Sequence, residues 1–270
     1  MALIEAITWS SLNLMRVVGR LGNFVGFTAA TLVGCVRPPF RPRQVSTQCY
    51  RLGVTAMPLA LLTALFVGMV IVLQTGYELK MFGAKHYAAA GAAKALTRIM
   101  IPIFTALVVG ARMAASIAAE LGTMRVTEQI DAMHVLDVDP RNYLVVPRVV
   151  AAVLMLPVMT LYADVIGLLG GMFMGAFGLD IPAGYYWSIT ENYLTLGDVL
   201  SGLFKTFFYG TAMGVCGCYF GYNAEGGAEG VGRATTRAVV FTLMSIILLE
   251  FFLSSWTLYF MEVVFTSHAG

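Results

Sequence analysis

The feature that most constrains this chain is a set of long apolar segments. Residues 53–75, GVTAMPLALLTALFVGMVIVLQT, contain no charged side chain. They are long enough to cross the roughly 30 Å hydrocarbon core of a bilayer, which takes about 20 helical residues. Residues 88–119, 149–177, 199–220 and 238–265 are comparably apolar. Because a backbone in lipid must satisfy its own hydrogen bonds, we expect an all-α integral membrane protein with five transmembrane helices in one domain, residues 1–270.

Composition agrees with this expectation and narrows the classes of function. Charged residues make up 12% of the chain and the mean hydropathy is +0.79, whereas soluble domains carry about 25% charged residues. The sequence has no G-x-x-x-x-G-K-[ST], H-E-x-x-H or G-x-S-x-G pattern. Cys216 and Cys218, two apart on a helix, point in different directions, so we expect no metal site. The chain shows no recognisable catalytic motif, and if it moves a substrate uphill, the energy must come from elsewhere.

The distribution of basic residues predicts the orientation in the membrane. Loops rich in Lys and Arg stay on the cytoplasmic side. The loop after the second segment contains Arg125, Arg141 and Arg148, whereas residues 178–198 contain no Lys or Arg. The N-terminus is therefore predicted to be cytoplasmic and the C-terminus to lie outside. Within residues 1–50, an amphipathic helix in the cytoplasmic interface is predicted from the apolar residues that share one face: Leu3, Ile7, Leu14, Val18, Leu21 and Val25.

A polar stretch interrupts the apolar pattern between the second and third segments. It reads AAELGTMRVTEQIDAMHVLDVDPRNY, residues 118–143. Thr123 is a candidate helix cap, and Val126, Ile130 and Met133 form one apolar stripe. Arg125 and Glu128 are predicted to pair on the other side. We expect a short cytoplasmic helix, 123–134, parallel to the membrane; it either rests on the interface or binds a protein partner, and its acid-rich end favours the partner.

Ionisable residues within the apolar segments are candidates for function, because each is costly at the bilayer centre. Arg98 stands out, since it lies four residues before Pro102, where a helix is weakened. Arg112 is expected to reach the cytoplasmic interface instead. The other candidates are Asp164, Lys205 and Glu250.

Three motifs carry a resemblance to a known family. AELGTMRVTEQIDAM, VDPRNYLVVPRVVAAVLMLPVM and GVGRATTRAVV resemble the MlaE permease family, the membrane subunits of lipid-transporting ABC systems that maintain outer-membrane lipid asymmetry. The similarity extends from about Arg16 to Leu258. It implies a homodimer in the bacterial inner membrane, with two ATPase subunits that bind ATP and Mg, a STAS-domain accessory protein and a periplasmic MCE-domain hexamer. The chain itself would be non-catalytic, without a cofactor, a metal or a nucleic-acid partner, and residues 123–134 would be the coupling helix.

The resemblance also implies two sets of functional residues. The family's lipid pocket lies between two copies of the first span and the start of the second. Here its residues would be Ile71, Gln74, Glu78, Leu79, Phe82, Arg98 and Met100. The residues facing the ATPase would be Glu120, Thr123, Arg125, Glu128, Gln129, Asp131, Arg233 and Arg237.

One departure from the family pattern affects this pocket. The family usually reads Arg-Glu-Leu-Gly-Pro where this chain reads RIMIP, so Ile99 replaces an acid. Arg98 is then expected to contact either a lipid phosphate or Glu78. Two other functions stay open at this point. One is an ABC permease for another hydrophobic substrate, a sterol or an organic solvent. The other is an intramembrane lipid-modifying enzyme with Asp164, Lys205 and Glu250 as its polar core.

Overall fold

The described part of the chain is built from helices joined by short turns and contains no strand. The computed structural model describes residue 19 and residues 22–35, 41–84 and 87–267. Leu3, Ile7, Leu14, Val18 and Leu21 of the predicted interfacial helix therefore lie outside the described residues, whereas Val25 belongs to the described segment. The helices are α1 (Gly22–Cys35), α2 (Pro42–Lys80), α3 (Ala88–Val126), α4 (Gln129–Val135), α5 (Arg141–Gly178), α6 (Ala183–Tyr193), α7 (Leu196–Tyr222) and α8 (Gly227–Ser267). Among the described residues, five of these (α2, α3, α5, α7 and α8) are long and apolar enough to cross a membrane, which confirms the predicted fold class.

The spanning helices run alternately up and down, so the bundle has two distinct ends. At one end α3 and α7 finish, α2, α5 and α8 begin, and α4 lies between α3 and α5; we refer to this as the α4 end. At the opposite end, the α6 end, α3 and α7 begin and α6 connects α5 to α7. Tyr186 anchors α6 there, because its fully buried ring lies against Gly171 and Gly175 of α5. Burial raises the pKa of the Tyr186 phenol, so this group is neutral.

Glycines set the spacing between the helices. A Cβ on Gly68 of α2 would lie 2.0 Å from the carbonyl oxygen of Gly167 on α5. A Cβ on Gly210 of α7 would lie 2.9 Å from the Ala152 carbonyl oxygen of α5. Such small residues allow helix backbones to approach closely where no hydrophobic effect drives association in lipid. Gly167 and Gly171 of α5, and Gly210 and Gly214 of α7, thus face other helices of the same chain.

The second spanning helix is continuous in spite of Pro102. A wider, π-helical turn, Leu96–Met100, immediately precedes the proline segment of α3. Proline has no N–H and its ring crowds the carbonyl four residues before it, here that of Arg98. The wide turn accommodates the ring without ending the helix. The freed Arg98 carbonyl oxygen accepts a hydrogen bond from Lys205 Nζ of α7, 3.0 Å away.

Candidate functional site

At the α4 end, α3 continues further than the sequence suggests. Thr123 lies in its last turn and donates its hydroxyl to the Ala119 carbonyl oxygen at 2.8 Å. The chain turns at Thr127 and Glu128, and Glu128 has a left-handed backbone with φ 60°. The prediction that Thr123 caps a helix over 123–134 is therefore wrong. The backbone hydrogen bonds of α3 persist through this segment, and the break falls at Glu128.

The short helix α4 is held by one apolar face. Ile130 is fully buried and Met133 packs against the same core. Val126, the third member of the predicted stripe, belongs to α3. Arg125 forms its ion pair with Asp131 and not with Glu128, because the left-handed turn carries Glu128 away from the i,i+3 position.

The other face of α4 is exposed and polar. Glu128, Gln129 and Asp131 are all exposed, and Gln129 Nε2 donates to Thr127 Oγ1 at 3.0 Å. Arg233 and Arg237, at the start of α8, are exposed at the same end of the bundle. Arg233 forms an ion pair with Glu229 one turn earlier. All eight residues predicted to face an ATPase thus lie at or near the surface of one end, Glu120 and Arg125 being about one-third exposed.

Glu120 differs from the other seven residues in that it joins three spanning helices of the same chain. Its Oε1 lies 3.0 Å from Arg148 Nη2 of α5 and 3.4 Å from Arg51 Nη1 of α2. Arg148 is almost fully buried, and its Nη1 also donates to the Leu144 carbonyl oxygen at 2.6 Å. In the sequence, Arg148 indicated only a loop on the predicted cytoplasmic side.

At the α6 end, the candidates Lys205 and Glu250 form one buried ion pair. Lys205 Nζ lies 3.0 Å from Glu250 Oε1 of α8. The same ammonium group donates to Ser254 Oγ at 2.6 Å and to the Arg98 carbonyl oxygen. Tyr209 donates its hydroxyl to the second carboxylate oxygen of Glu250. All three Lys205 donors are therefore used, and the pair ties α7 to α3 and α8.

Arg98 forms an ion pair with Asp198. Arg98 Nε lies 3.5 Å from Asp198 Oδ1, and the Asp198 carboxylate is almost fully buried. Asp198 also closes the capping box of α7, accepting from the Thr195 N–H at 3.0 Å and the Thr195 hydroxyl at 2.7 Å. The Thr-x-x-Asp pattern at the start of α7 was the one sequence signal for this residue. The expectation that Glu78 pairs with Arg98 is corrected: Glu78 is exposed, with Gln74 Nε2 3.5 Å from its Oε1.

The other residues of the predicted lipid pocket divide into two groups. Ile71, Leu79 and Met100 are half-buried against the core shared by α2, α3 and α5. Phe82, like Gln74 and Glu78, is exposed at the α6 end of α2. The structure thus brings three members together in the core and leaves the others on the open face of α2.

Asp164 stands apart from the charged cluster. It is 3% exposed, and neither carboxylate oxygen has a hydrogen-bond partner within the described residues. Asp164, Lys205 and Glu250 consequently do not form one hydrogen-bonded group. The polar core that an intramembrane enzyme would need is not assembled from these three residues.

The fold and these sites define a class: a multi-pass helical membrane protein with a polar surface at one end of its bundle and a buried charged cluster near the other. The chain belongs to the MlaE permease family, since the family model "Permease MlaE" matches residues 45–256. It is 40% identical over 226 residues to a probable ABC transporter permease protein of Rickettsia bellii (strain RML369-C), covering 84% of this chain and 87% of that protein.

Two further relatives come from a cyanobacterium and a plant. A probable ABC transporter permease protein of Synechocystis sp. (strain ATCC 27184 / PCC 6803 / Kazusa) is 40% identical over 217 residues, 80% of this chain and 82% of that protein. The chloroplastic protein TRIGALACTOSYLDIACYLGLYCEROL 1 of Arabidopsis thaliana is 36% identical over 214 residues, 79% of this chain and 61% of that protein. The chain is therefore an ABC transporter permease, a transport subunit that works with ATPase partners.

Proposed function

We propose that this permease moves phospholipid between the bacterial inner membrane and a periplasmic MCE-domain hexamer, and so maintains outer-membrane lipid asymmetry. In this proposal it works as a homodimer with two ATPase subunits and a STAS-domain protein. The N-terminus is cytoplasmic and the C-terminus periplasmic. The chain carries no cofactor of its own, and the ATPase subunits bind ATP and Mg. The name of the Arabidopsis relative, which is that of a glycolipid, supports a lipid as the substrate.

The observation that carries the proposal is the exposed surface of α4. The seven-residue helix Gln129–Val135 is anchored by the buried Ile130, and Glu128 just before it, Gln129 and Asp131 are exposed to solvent. Because this short helix is anchored in the protein core, a movement of a bound partner can be transmitted through it to α3, which it contacts. Its exposed acids fit a protein surface better than anionic lipid headgroups. Arg233 and Arg237, at the same end, extend the contact surface that we propose for the ATPase.

The exposed face of α2 supports a lipid as cargo. Leu62, Phe66 and Val70 are more than half exposed, although they lie in the centre of the spanning helix. Further along the same helix the exposed residues become polar, at Gln74 and Glu78. An apolar stretch ending in polar groups matches a lipid acyl chain and its headgroup. A second copy of α2 would close this face into a pocket.

A charge-reversal experiment tests the coupling. Glu128→Lys reverses an acid that forms no ion pair within the described residues, so the helix should still form. With the cognate ATPase and labelled phospholipid in proteoliposomes, we expect ATPase activity and transport to fall about tenfold, which corresponds to one lost charge-assisted contact. The matched control is Glu191→Lys on the exposed surface of α6, which should leave both activities unchanged.

A second pair of variants shows whether a loss of activity comes from the changed surface charge of α4 or from the loss of the Arg125–Asp131 ion pair. Asp131→Asn breaks the Arg125–Asp131 ion pair, and the exchange Arg125→Asp with Asp131→Arg restores a pair with its polarity reversed. If α4 binds the ATPase through its surface charge, the exchange variant should still show reduced ATPase activity and phospholipid transport. Full activity in both the exchange variant and Glu128→Lys would refute the coupling role of α4.

A further inference from the structure

A cavity at the α4 end lies between the first turns of α2 and the start of α5. Its volume is about 250 Å³, well above the ~10–15 Å³ that a single water requires. None of the described residues that line it belongs to the predicted lipid pocket or to the predicted ATPase surface. They are Arg43, Gln44, Thr47, Gln48, Tyr143, Leu144, Pro147 and Arg148.

Three buried polar atoms on these residues have no hydrogen-bond partner within the described part of the chain. They are Nε of Arg148 and the Oε1 atoms of Gln44 and Gln48. Arg148 is 3% exposed, and its other two nitrogens are used by the Leu144 carbonyl oxygen and by Glu120. Folded proteins rarely leave buried polar atoms unpaired, because their desolvation is then uncompensated. A ligand that enters the cavity would supply the missing partners.

The charge around the cavity is positive. Arg43 and Arg148 line it, and no carboxylate of the described residues does. The Glu120 carboxylate that pairs with Arg148 is shared with Arg51 of α2. Arg43 forms no ion pair within the described residues. Three arginines thus have one acidic partner between them, and the cavity attracts an anion.

The depth of the cavity indicates which anions can reach it. After Arg51, α2 has no charged residue from Leu52 to Tyr77, and after Arg148, α5 has none from 149 to 163. Both helices therefore enter the apolar region directly beyond the cavity. On its outer side Arg43 is exposed. At this border a bilayer presents the headgroups of its lipids, and dissolved anions reach the same level.

The unpaired atoms also restrict the chemistry of the ligand. Arginine N–H groups donate to anionic oxygens, whereas the amide oxygens of Gln44 and Gln48 need a donor. A phosphate group that carries or adjoins hydroxyl groups offers both acceptors and donors, as in a glycerol phosphate headgroup or in hydrogen phosphate. A carboxylate or a chloride ion offers acceptors alone. The planar guanidinium of arginine also matches the geometry of phosphate oxygens.

We propose that this cavity binds a hydroxyl-bearing phosphate group. Arg43 and Arg148 donate to the phosphate oxygens, and Gln44 and Gln48 accept from the hydroxyl groups. The group comes from the headgroup of a lipid in the leaflet at the α4 end or from free phosphate in solution. The site lies at the opposite end of the bundle from Arg98, so it is separate from the lipid site of the proposed function. It requires neither transport nor an ATPase.

Thermal unfolding of the full chain in detergent, without ATPase, measures the binding. The protein is titrated with inorganic phosphate, with dihexanoyl phosphatidylglycerol, or with dihexanoylglycerol, which lacks the phosphate. A ligand at ten times its half-saturating concentration should raise the unfolding temperature by about 3–6 °C. We expect this rise with one or both of the phosphate-bearing ligands and no comparable rise with dihexanoylglycerol.

Variants at the cavity locate the binding site. Arg43→Gln should fold normally, because Arg43 is exposed. It should raise the half-saturating concentration about tenfold, since a charge-assisted hydrogen bond is lost. Arg43→Lys keeps the charge and should stay within about threefold of wild type. Arg237→Gln, an exposed arginine of α8 at the same end, is the matched control and should bind like wild type.

A glutamine variant tests the donors of the ligand. Gln48→Leu should raise the half-saturating concentration about threefold, because the ligand hydroxyl loses its acceptor. The same change should raise the unfolding temperature of the unliganded protein, since it removes a buried oxygen that has no partner within the described residues. A merely structural role of Gln48 would not change the affinity for phosphate.

The outcomes separate the sources of the phosphate group. Weakening in Arg43→Gln that is seen only with phosphatidylglycerol supports a lipid headgroup, and weakening seen with inorganic phosphate supports a site filled from solution. An unchanged half-saturating concentration in Arg43→Gln overturns the proposal and leaves water as the occupant of the cavity. Should Arg43→Gln fail to fold, Gln48→Leu decides by the same criterion. Because no ATPase is present, a protein that binds phosphate here yet transports no phospholipid would refute the proposed function alone.

Discussion

The buried pair Lys205–Glu250 gives the most direct test of how the helices are held together. The side chains are 2% and 11% exposed, and they join α7 to α8. We consider three variants: Lys205→Met, Glu250→Leu and the double replacement. Each removes charge while keeping most of the side-chain volume.

The two single changes leave different groups without a partner. Glu250→Leu leaves the Lys205 ammonium with only the neutral Ser254 hydroxyl and the Arg98 carbonyl oxygen. Lys205→Met leaves Glu250 with the hydroxyl donors of Tyr209 and Ser254. Stranding one member of a buried ion pair costs about 3–5 kcal/mol, whereas replacing both members by apolar residues is often neutral. We expect Glu250→Leu to be the more destabilising single change and the double variant to recover most of the loss.

Thermal unfolding in detergent, followed by the loss of the monodisperse chromatographic peak, measures this cycle. At about 2–4 °C per kcal/mol, the single variants should unfold roughly 10 °C below wild type. Glu191→Leu on the exposed surface of α6 is the control and should stay within about 2 °C. Additive effects in the double variant would refute the reasoning, because they would show that the two groups do not interact.

Two further predictions concern helix packing. Gly68→Ala should destabilise the bundle by about 1–3 kcal/mol, because the new methyl group would lie 2.0 Å from the Gly167 carbonyl oxygen. Its control, Gly91→Ala, should be neutral or slightly stabilising, since a Cβ there would have no atom within 4 Å. Equal unfolding temperatures for the two variants would contradict the α2–α5 contact. Asp164→Leu should raise the unfolding temperature, a gain of about 1–3 kcal/mol, because it removes a buried carboxyl group that has no hydrogen-bond partner within the described residues. A loss of stability in that variant would show that Asp164 has a partner.

Much of the fold follows from local properties of the sequence. Apolar length alone locates five spanning helices, and the alternation of basic loops predicts their direction. The glycine spacing in α5 and α7 indicates close helix contacts, and the structure places those contacts within the chain. The spanning helices extend beyond the apolar segments, α2 starting at Pro42 instead of residue 53, because a helix continues into the interface as long as its backbone is satisfied.

The candidate sites could be predicted only in part. The polar surface near Glu128 and Asp131 was visible as a break in the apolar pattern, but its boundary was not, since the left-handed turn at Glu128 has no strong local signal. For the buried cluster, the sequence picked out Arg98, Lys205 and Glu250 as costly charges without relating them to one another. Asp198 escaped notice because it lies at a helix start, where an acid is ordinary.

The sequence by itself determined that this chain is a helical membrane protein of the MlaE permease family, because hydrophobic length and long motifs are properties of contiguous residues. Only the tertiary structure decided which charges meet. Lys205 is 45 residues from Glu250 and 107 residues from Arg98, and their contacts depend on the register of three helices packed on glycine. Pro102 links the two levels: its missing N–H is a local fact of the sequence, but the Lys205 ammonium group that donates to the Arg98 carbonyl oxygen comes from another helix.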